Sequence, residues 1–319
     1  MATMSMNEVF VTGGSGFVGR NLIRALRERG VTVRALARSD ASAAAVASLG
    51  AEPVRADLLD VQREHIGTCD TVFHAAAFVG DWGALKAARR LNVDGTRAVL
   101  DAAGDATVVH VSTESVLIGG PPLVNADETW PYPKRPLGVY AITKGEAERL
   151  AVSRGAIVVR PRFIWGNDDS TLLPAFVEAT EKKMLRWFAG GEYLTSTCHV
   201  DNCVHGMLLA AERGAAGEIY FLTDGEPVSF RWIVSEMLRS QGVEPPTGTM
   251  PRSLARVVAA VGEMACKVLP GRPPLTRYVV RVIGESVTVS DAKARQELGY
   301  QPVTSVEAGL EDLRRRAAS

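Results

Sequence analysis

The sequence has no surplus of either charge. Its 319 residues carry 36 basic and 36 acidic side chains, a formal net charge of zero. Bulk electrostatics therefore give no reason to expect a nucleic-acid partner. It has few cysteines. Cys69, Cys198, Cys203 and Cys266 are too scattered for a disulfide scaffold, and they predict reduced thiols in a cytoplasmic setting. No uninterrupted apolar run reaches about 18 residues, so no transmembrane helix is expected. The start of the chain lacks a basic segment followed by an apolar one, so no signal peptide is expected. Internal repeats and low-complexity linkers are also missing. What remains is 46% apolar and 23% charged, the composition of an ordinary globular protein.

The chain is organised around its first thirty residues. Val9–Val11 form an apolar run suited to a buried parallel strand. Gly13, Gly16 and Gly19 follow, and then Leu22, Ile23 and Leu26 keep helical spacing. Strand, glycine turn and helix in that order predict a dinucleotide site. Gly13 permits the sharp turn, Gly16 lets a pyrophosphate approach, and Gly19 lets helix pack on strand. Ser15, Phe17 and Val18 lie in the same turn, where the helix N-terminus offers free N–H groups to phosphate.

A second strand, 31–36, ends at Ala37-Arg38-Ser39-Asp40. An NAD-selective site usually has an acid there. Arg38 instead suits a 2′-phosphate by charge and by its two-pronged geometry, so NADP is favoured. Asp40 keeps NAD open. A helix at 41–49 and a strand at 52–55 lead to Asp57-Leu58, an acceptor and an apolar wall for an adenine. The strand at 71–77 ends in Ala75-Ala76-Ala77, small enough to admit a flat ligand, and its His74 reads equally as packing or contact. A helix over 84–104 carries Asn92. The strand at 107–112 ends in Ser112-Thr113-Glu114-Ser115, and a Pro/Gly-rich loop at 119–138 follows as a substrate rim.

Tyr140 and Lys144 open the next helix (140–154) four residues apart, on one face. A tyrosine beside a lysine ammonium can exchange a proton with a secondary alcohol or a ketone while hydride moves to or from a nicotinamide. The Thr113 hydroxyl would hold the substrate oxygen, with Ser112 and Ser115 as neighbouring registers. A strand at 155–161 ends at Pro161. This alternation predicts an α/β protein, a doubly wound parallel (Rossmann) sheet with a smaller C-terminal α/β lobe. The expected division is a dinucleotide domain over 1–165, rejoined by elements at about 192–225, and a mainly substrate-binding lobe over 166–319.

Taken together these motifs resemble the extended short-chain dehydrogenase/reductases, the superfamily that also holds sugar-nucleotide epimerases and dehydratases. The residues are Thr12–Gly19, Asp57-Leu58, His74–Ala77, Asn92-Val93-x-Gly95-Thr96, Ser112-Thr113, Tyr140-x-x-x-Lys144, Arg160-Pro161, His199–Asn202 and Leu298-Gly299-Tyr300-x-Pro302. Residues 77–83, 112–116, 273–277 and 287–294 resemble its 3β-hydroxysteroid dehydrogenase-like branch. The resemblance implies Tyr140 as general acid/base, with Lys144 lowering its pKa and binding the nicotinamide ribose. It places Thr113 at the Ser/Thr position and implies cofactor contacts from Asn92, Ala75–Ala77 and Pro161. It also implies a homodimer through the helices at 84–104 and 140–154. Arg38 departs from the NAD-preferring members.

Val79, Trp82, Ser115, Trp187 and Phe188 are the candidate substrate contacts, and the apolar second half predicts a small apolar substrate, steroid-like or a β-keto/β-hydroxy acyl compound. Cys198-His199-x-x-x-Cys203-x-His205 matches no usual zinc spacing, so no metal is expected. Two apolar-stripe helices at about 252–284 read as a packed lobe, a lid, or a weak membrane-surface contact. The rival functions are an epimerase or dehydratase that retains NAD, and a dinucleotide sensor without turnover.

Overall fold

The computed structural model describes residues 6–269 and 271–318. Seven parallel strands form one sheet: β1 (Glu8–Thr12), β2 (Thr32–Leu36), β3 (Glu52–Val54), β4 (Thr71–His74), β5 (Thr107–Val111), β6 (Ile157–Pro161) and β7 (Ile219–Leu222). Their order is β7-β6-β5-β4-β1-β2-β3. The strands are nearly continuous Val, Ile, Phe and Thr because helices cover both faces. The order reverses between β1 and β4. That switch point leaves a crevice at the carboxyl ends of the strands, where doubly wound sheets bind ligands.

The flanking helices are α1 (Phe17–Glu28), α2 (Asp40–Ala47), α3 (Arg63–Ile66), α4 (Leu85–Arg89), α5 (Gly95–Ala103), α6 (Gly138–Ser153), α7 (Leu172–Glu181) and α8 (Val200–Arg213). The helix expected over 84–104 is interrupted by a π-helical segment, Arg90–Asp94. The extra residue in that turn turns Asn92 inward. Its amide donates to Phe78 O and Thr143 Oγ1 and accepts from Phe78 N, at 2.7 to 3.2 Å. Helix α8 starts at Val200, where His199 caps it by accepting from Asp201 N.

The second half adds α9 (Phe230–Ser240), α10 (Arg252–Val268), α11 (Arg277–Ile283) and α12 (Val306–Ala317). Phe163, Phe176, Trp187, Phe230 and Leu310 form an apolar core of their own there, apart from the cores on the two faces of the sheet. One expectation inverts in this lobe. The large apolar residues of α10 face outward, and the helix packs through Ala255 and Ala259, both fully buried. Small residues win the inner face because α11 and the Pro273-Pro274 turn lie close against it. A side chain at Gly262 would already touch Pro273.

Candidate active site

The glycine turn is tight for stated reasons. Gly13 sits at φ +73, and a side chain on it would meet Ala76 N at 2.7 Å. A Cβ on Gly19 would lie 2.1 Å from the Gly13 carbonyl oxygen, so α1 can approach β1 only with glycine there. Gly16 is different. A Cβ there would meet only Gly13 O, at 3.2 Å, and open space remains beyond it. Gly16 caps α1 without a side-chain bond, so the helix N-terminus beside Ser15, Phe17 and Val18 keeps donors for an anion. Ala75, Ala76 and Ala77 follow β4 directly and leave the crevice shallow-walled. These features fit a dinucleotide pyrophosphate.

At the far end of β2, Arg38 is three-quarters exposed, and its Nη1 stands 3.8 Å from Asp57 Oδ2. Asp57 caps the short turn Leu58–Asp60 by accepting from Leu59 N. Leu58 packs against Gly95 at the start of α5. Asp40 is engaged by Arg55 at 2.8 Å. Asn92 has spent both amide protons on Phe78 and Thr143. It shapes the backbone after β4, with no N–H left for a cofactor. Pro161 is buried at the end of β6, paired with Leu222.

The candidate catalytic residues sit at the ends of β5 and α6. Tyr140, Lys144 and Glu148 fall four apart along one stripe of α6. Glu148 forms a fully buried ion pair with Arg160 of β6 at 2.6 Å, and this fixes the helix against the sheet. Lys144 donates to Val111 O at 2.6 Å and stands 3.4 Å from His110 Nε2. Burial pushes the Lys144 ammonium down to about 8. Burial raises the Tyr140 phenol well above its ordinary value. The Glu114 carboxylate raises it further, and the Thr113 hydroxyl pulls the other way. The motif implies that Lys144 lowers the phenol. In the chain alone the Lys144 ammonium donates to Val111 O, and burial sets the direction of the phenol's shift.

Three groups here escaped the sequence. Glu114 is buried and accepts from Thr113 Oγ1 at 2.8 Å, Ser115 Oγ at 3.1 Å and Arg162 Nη1 at 2.7 Å. Arg162, equally buried, also donates to Thr195 Oγ1 and Val282 O. Tyr278 of α11 donates to Ser115 Oγ at 2.9 Å, and its ring stands edge-on to Tyr140 at 6.4 Å. The chain Tyr278, Ser115, Glu114, Arg162 thus ties the C-terminal lobe to the end of β5. Only their burial and long-range partners mark these residues. Ser112 Oγ is buried with no partner.

Beneath the site His74 is clamped between Thr12 Oγ1 at 2.7 Å and Thr96 Oγ1 at 2.9 Å. His110 lies beside it on β5, ring centroids 5.1 Å apart. Burial, with the Lys144 charge nearby, pushes His74 down to about 3 and His110 well below its usual range. Both are neutral packing residues.

Of the other candidate substrate residues, Val79 is exposed and Trp82 donates to Gly271 O at 3.3 Å. Trp187 and Phe188 lie in apolar cores, and the Trp187 indole donates to Pro246 O. Glycines flank this pair because Gly190 and Gly191 take φ above +80, a turn that tucks the aromatics inward. Cys198 and Cys203 are buried free thiols. Among the described residues no group of three or more His, Cys, Asp or Glu is placed to hold a metal.

The model of the 3-beta hydroxysteroid dehydrogenase/isomerase family matches residues 10–252, three-quarters of the chain. The chain belongs to this family. It is an NAD(P)-dependent oxidoreductase of the extended short-chain type. Among curated relatives it is 47% identical to a 4-hydroxy-2-methyl-3-oxo-4-farnesyl-3,4-dihydroquinoline-1-oxide ketoreductase of Stigmatella aurantiaca, over 96% of this chain and 95% of that one. It is 33% identical to a 2-alkyl-3-oxoalkanoate reductase of Stenotrophomonas maltophilia, over 98% and 100%. Among solved structures, gox2253 superposes with a TM-score of 0.78 at 28% identity, over 97% of this chain and 98% of that one. The UDP-glucuronic acid 4-epimerase of Bacillus cereus, solved with NAD, gives 0.74 at 20% identity over 98% of both chains, and shares the fold.

Proposed function

We propose that this enzyme reduces a ketone on a lipophilic substrate to a secondary alcohol, with NADPH as the favoured hydride donor and Tyr140 as the proton donor. The observation that carries the reading is the Thr113 hydroxyl set beside the buried Tyr140 phenol, with Lys144 one turn along the same face of α6. Burial and the Glu114 charge raise the Tyr140 phenol, which suits a group that gives a proton to a carbonyl oxygen as negative charge develops there. Thr113, next to Tyr140, holds the same oxygen. Lys144 would meet the ribose of the cofactor, and the bound cofactor supplies the hydride. The two curated relatives named above are a ketoreductase of a farnesyl-bearing ring compound and a reductase of 2-alkyl-3-oxoalkanoates. The substrate class follows them: a ketone set in or beside an apolar ring or chain.

Arg38 supports NADPH. It is an exposed cation at the ribose end of the crevice with only a loose partner, while the competing acid Asp40 is engaged by Arg55. Nothing in the site favours the epimerase alternative, since the buried Arg162 is consumed by Glu114 and is not left for a nucleotide sugar. We also read the outer faces of α5 and α6 as a homodimer contact, and size measurement in solution checks it.

The test is a panel of apolar ketones offered with NADPH and with NADH, read by nicotinamide absorbance. Net consumption of NADPH with a lipophilic 3-oxo compound supports the reading. Retained NAD with no net absorbance change on any ketone contradicts it.

A further inference from the structure

The outer face of α10 is an apolar stripe with nothing against it among the described residues. Leu254, Val257, Val261, Met264, Val268 and Leu269 recur at helical spacing and are exposed, Met264 by 66% and Val268 by 83%. Scattered exposed apolar residues are normal, but an unbroken row along five turns is not. The charges around it are one-sided. Arg256, Lys267, Arg272 and Arg277 stand exposed at the border of the stripe. The carboxylates that pair with three of them, Glu285, Asp81 and Glu263, are almost fully buried. The guanidinium groups of these pairs and the Lys267 ammonium are thus what solvent meets beside the apolar band, while the carboxylates face inward.

We propose that the outer face of α10 seats on an anionic lipid bilayer, with the helix lying in the plane of the interface. The stripe supplies apolar area and the rim supplies attraction to anionic headgroups. A second copy of the chain fits this face poorly, because two such faces together would set one cationic rim against the other. No helix among the described residues is long and apolar enough to cross a membrane, so the contact is interfacial.

The position suits a lipophilic substrate, a point that rests on the proposed function. The segment directly after α10, from Arg272 to Val279, lines a cavity of about 290 Å³ with Asp81 and Met184. α11 then carries Tyr278 to Ser115. The lipid-facing element and the element that closes the site are consecutive in the chain.

The test is co-sedimentation of the full chain with vesicles of phosphatidylcholine alone and of phosphatidylcholine rich in phosphatidylglycerol, at low and high salt. Two variants accompany it, Val261→Asp/Met264→Asp and Lys267→Glu, all on surface positions away from the catalytic residues. The wild type is expected to pellet with the anionic vesicles and less so at high salt. The apolar double variant should lose about tenfold or more of that binding, and Lys267→Glu a smaller part. Turnover of a short, water-soluble ketone should stay unchanged in both, which separates this claim from the catalytic one. The proposal is overturned if the wild type stays in the supernatant, or if both variants bind as the wild type does. It is also overturned if the double variant converts a wild-type dimer to a monomer while the wild type ignores vesicles, since that assigns the face to a second copy. Should the double variant not fold, Lys267→Glu and the salt dependence decide.

Discussion

The Tyr278 hydroxyl donates to Ser115 Oγ across 2.9 Å, joining residues 163 positions apart. Ser115 in turn donates to Glu114, which also accepts from Thr113. Helix α11 and the end of β5 thus share one hydrogen-bonded row.

Tyr278→Phe removes the donor and keeps the ring. A net hydrogen bond is worth about 1 kcal/mol, so kcat/KM should fall about fivefold to tenfold. The loss should appear mainly in KM, because Tyr278 orients the row and Tyr140 still supplies the proton. Steady-state kinetics check this. An unchanged KM would separate α11 from substrate binding.

Glu114→Gln leaves the Arg162 guanidinium buried without its counter-charge. Breaking such a pair from one side costs about 3–5 kcal/mol, to be read by urea denaturation. The same change removes a charge that raises the Tyr140 phenol. The alkaline limb of the pH–rate profile should therefore move to lower pH. A profile fixed in place would mean that Glu114 does not act on Tyr140.

His74 and His110 are held neutral by burial, His74 at about 3. The unfolded chain protonates both near pH 6.5 while the folded chain does not. The unfolded state then binds more protons, so stability rises with pH through this window. Well below pH 6.5, stability should fall by about 1.4 kcal/mol per pH unit for each histidine. Denaturation midpoints at pH 7.5, 6.5 and 5.5 test it, and His74→Asn should flatten the slope.

Much of the fold was legible in the sequence because it is local. β-branched runs, the glycine turn and helical spacing give the strands and most helices within a few residues, and Tyr140 and Lys144 share a face by spacing alone. Tertiary partners were not legible. Glu114 looks like any polar residue between two hydroxyls until Arg162, 48 positions on, is placed against it. Tyr278 read as part of an apolar stripe, and only packing against Gly138 and Ser115 gives it a place in the site. Periodicity shows that α10 has an apolar stripe but not which way it faces. The small Ala255 and Ala259 decide that. Trp187 shows the reverse failure, an aromatic beside glycines that the turn folds inward.

Arg38→Ala tests the cofactor preference. A charge-assisted bond to a phosphate is worth about 1.5–3 kcal/mol, so KM for NADPH should rise about tenfold to a hundredfold while KM for NADH holds. Equal losses for both cofactors would remove Arg38 from the 2′-phosphate.

The most direct measurement is turnover of Tyr140→Phe, with NADPH binding followed separately by nicotinamide fluorescence. Proton donation by Tyr140 predicts a loss of about a hundredfold to ten-thousandfold in kcat, with cofactor affinity close to the wild type. Wild-type turnover in the variant, with cofactor still bound, would contradict the account.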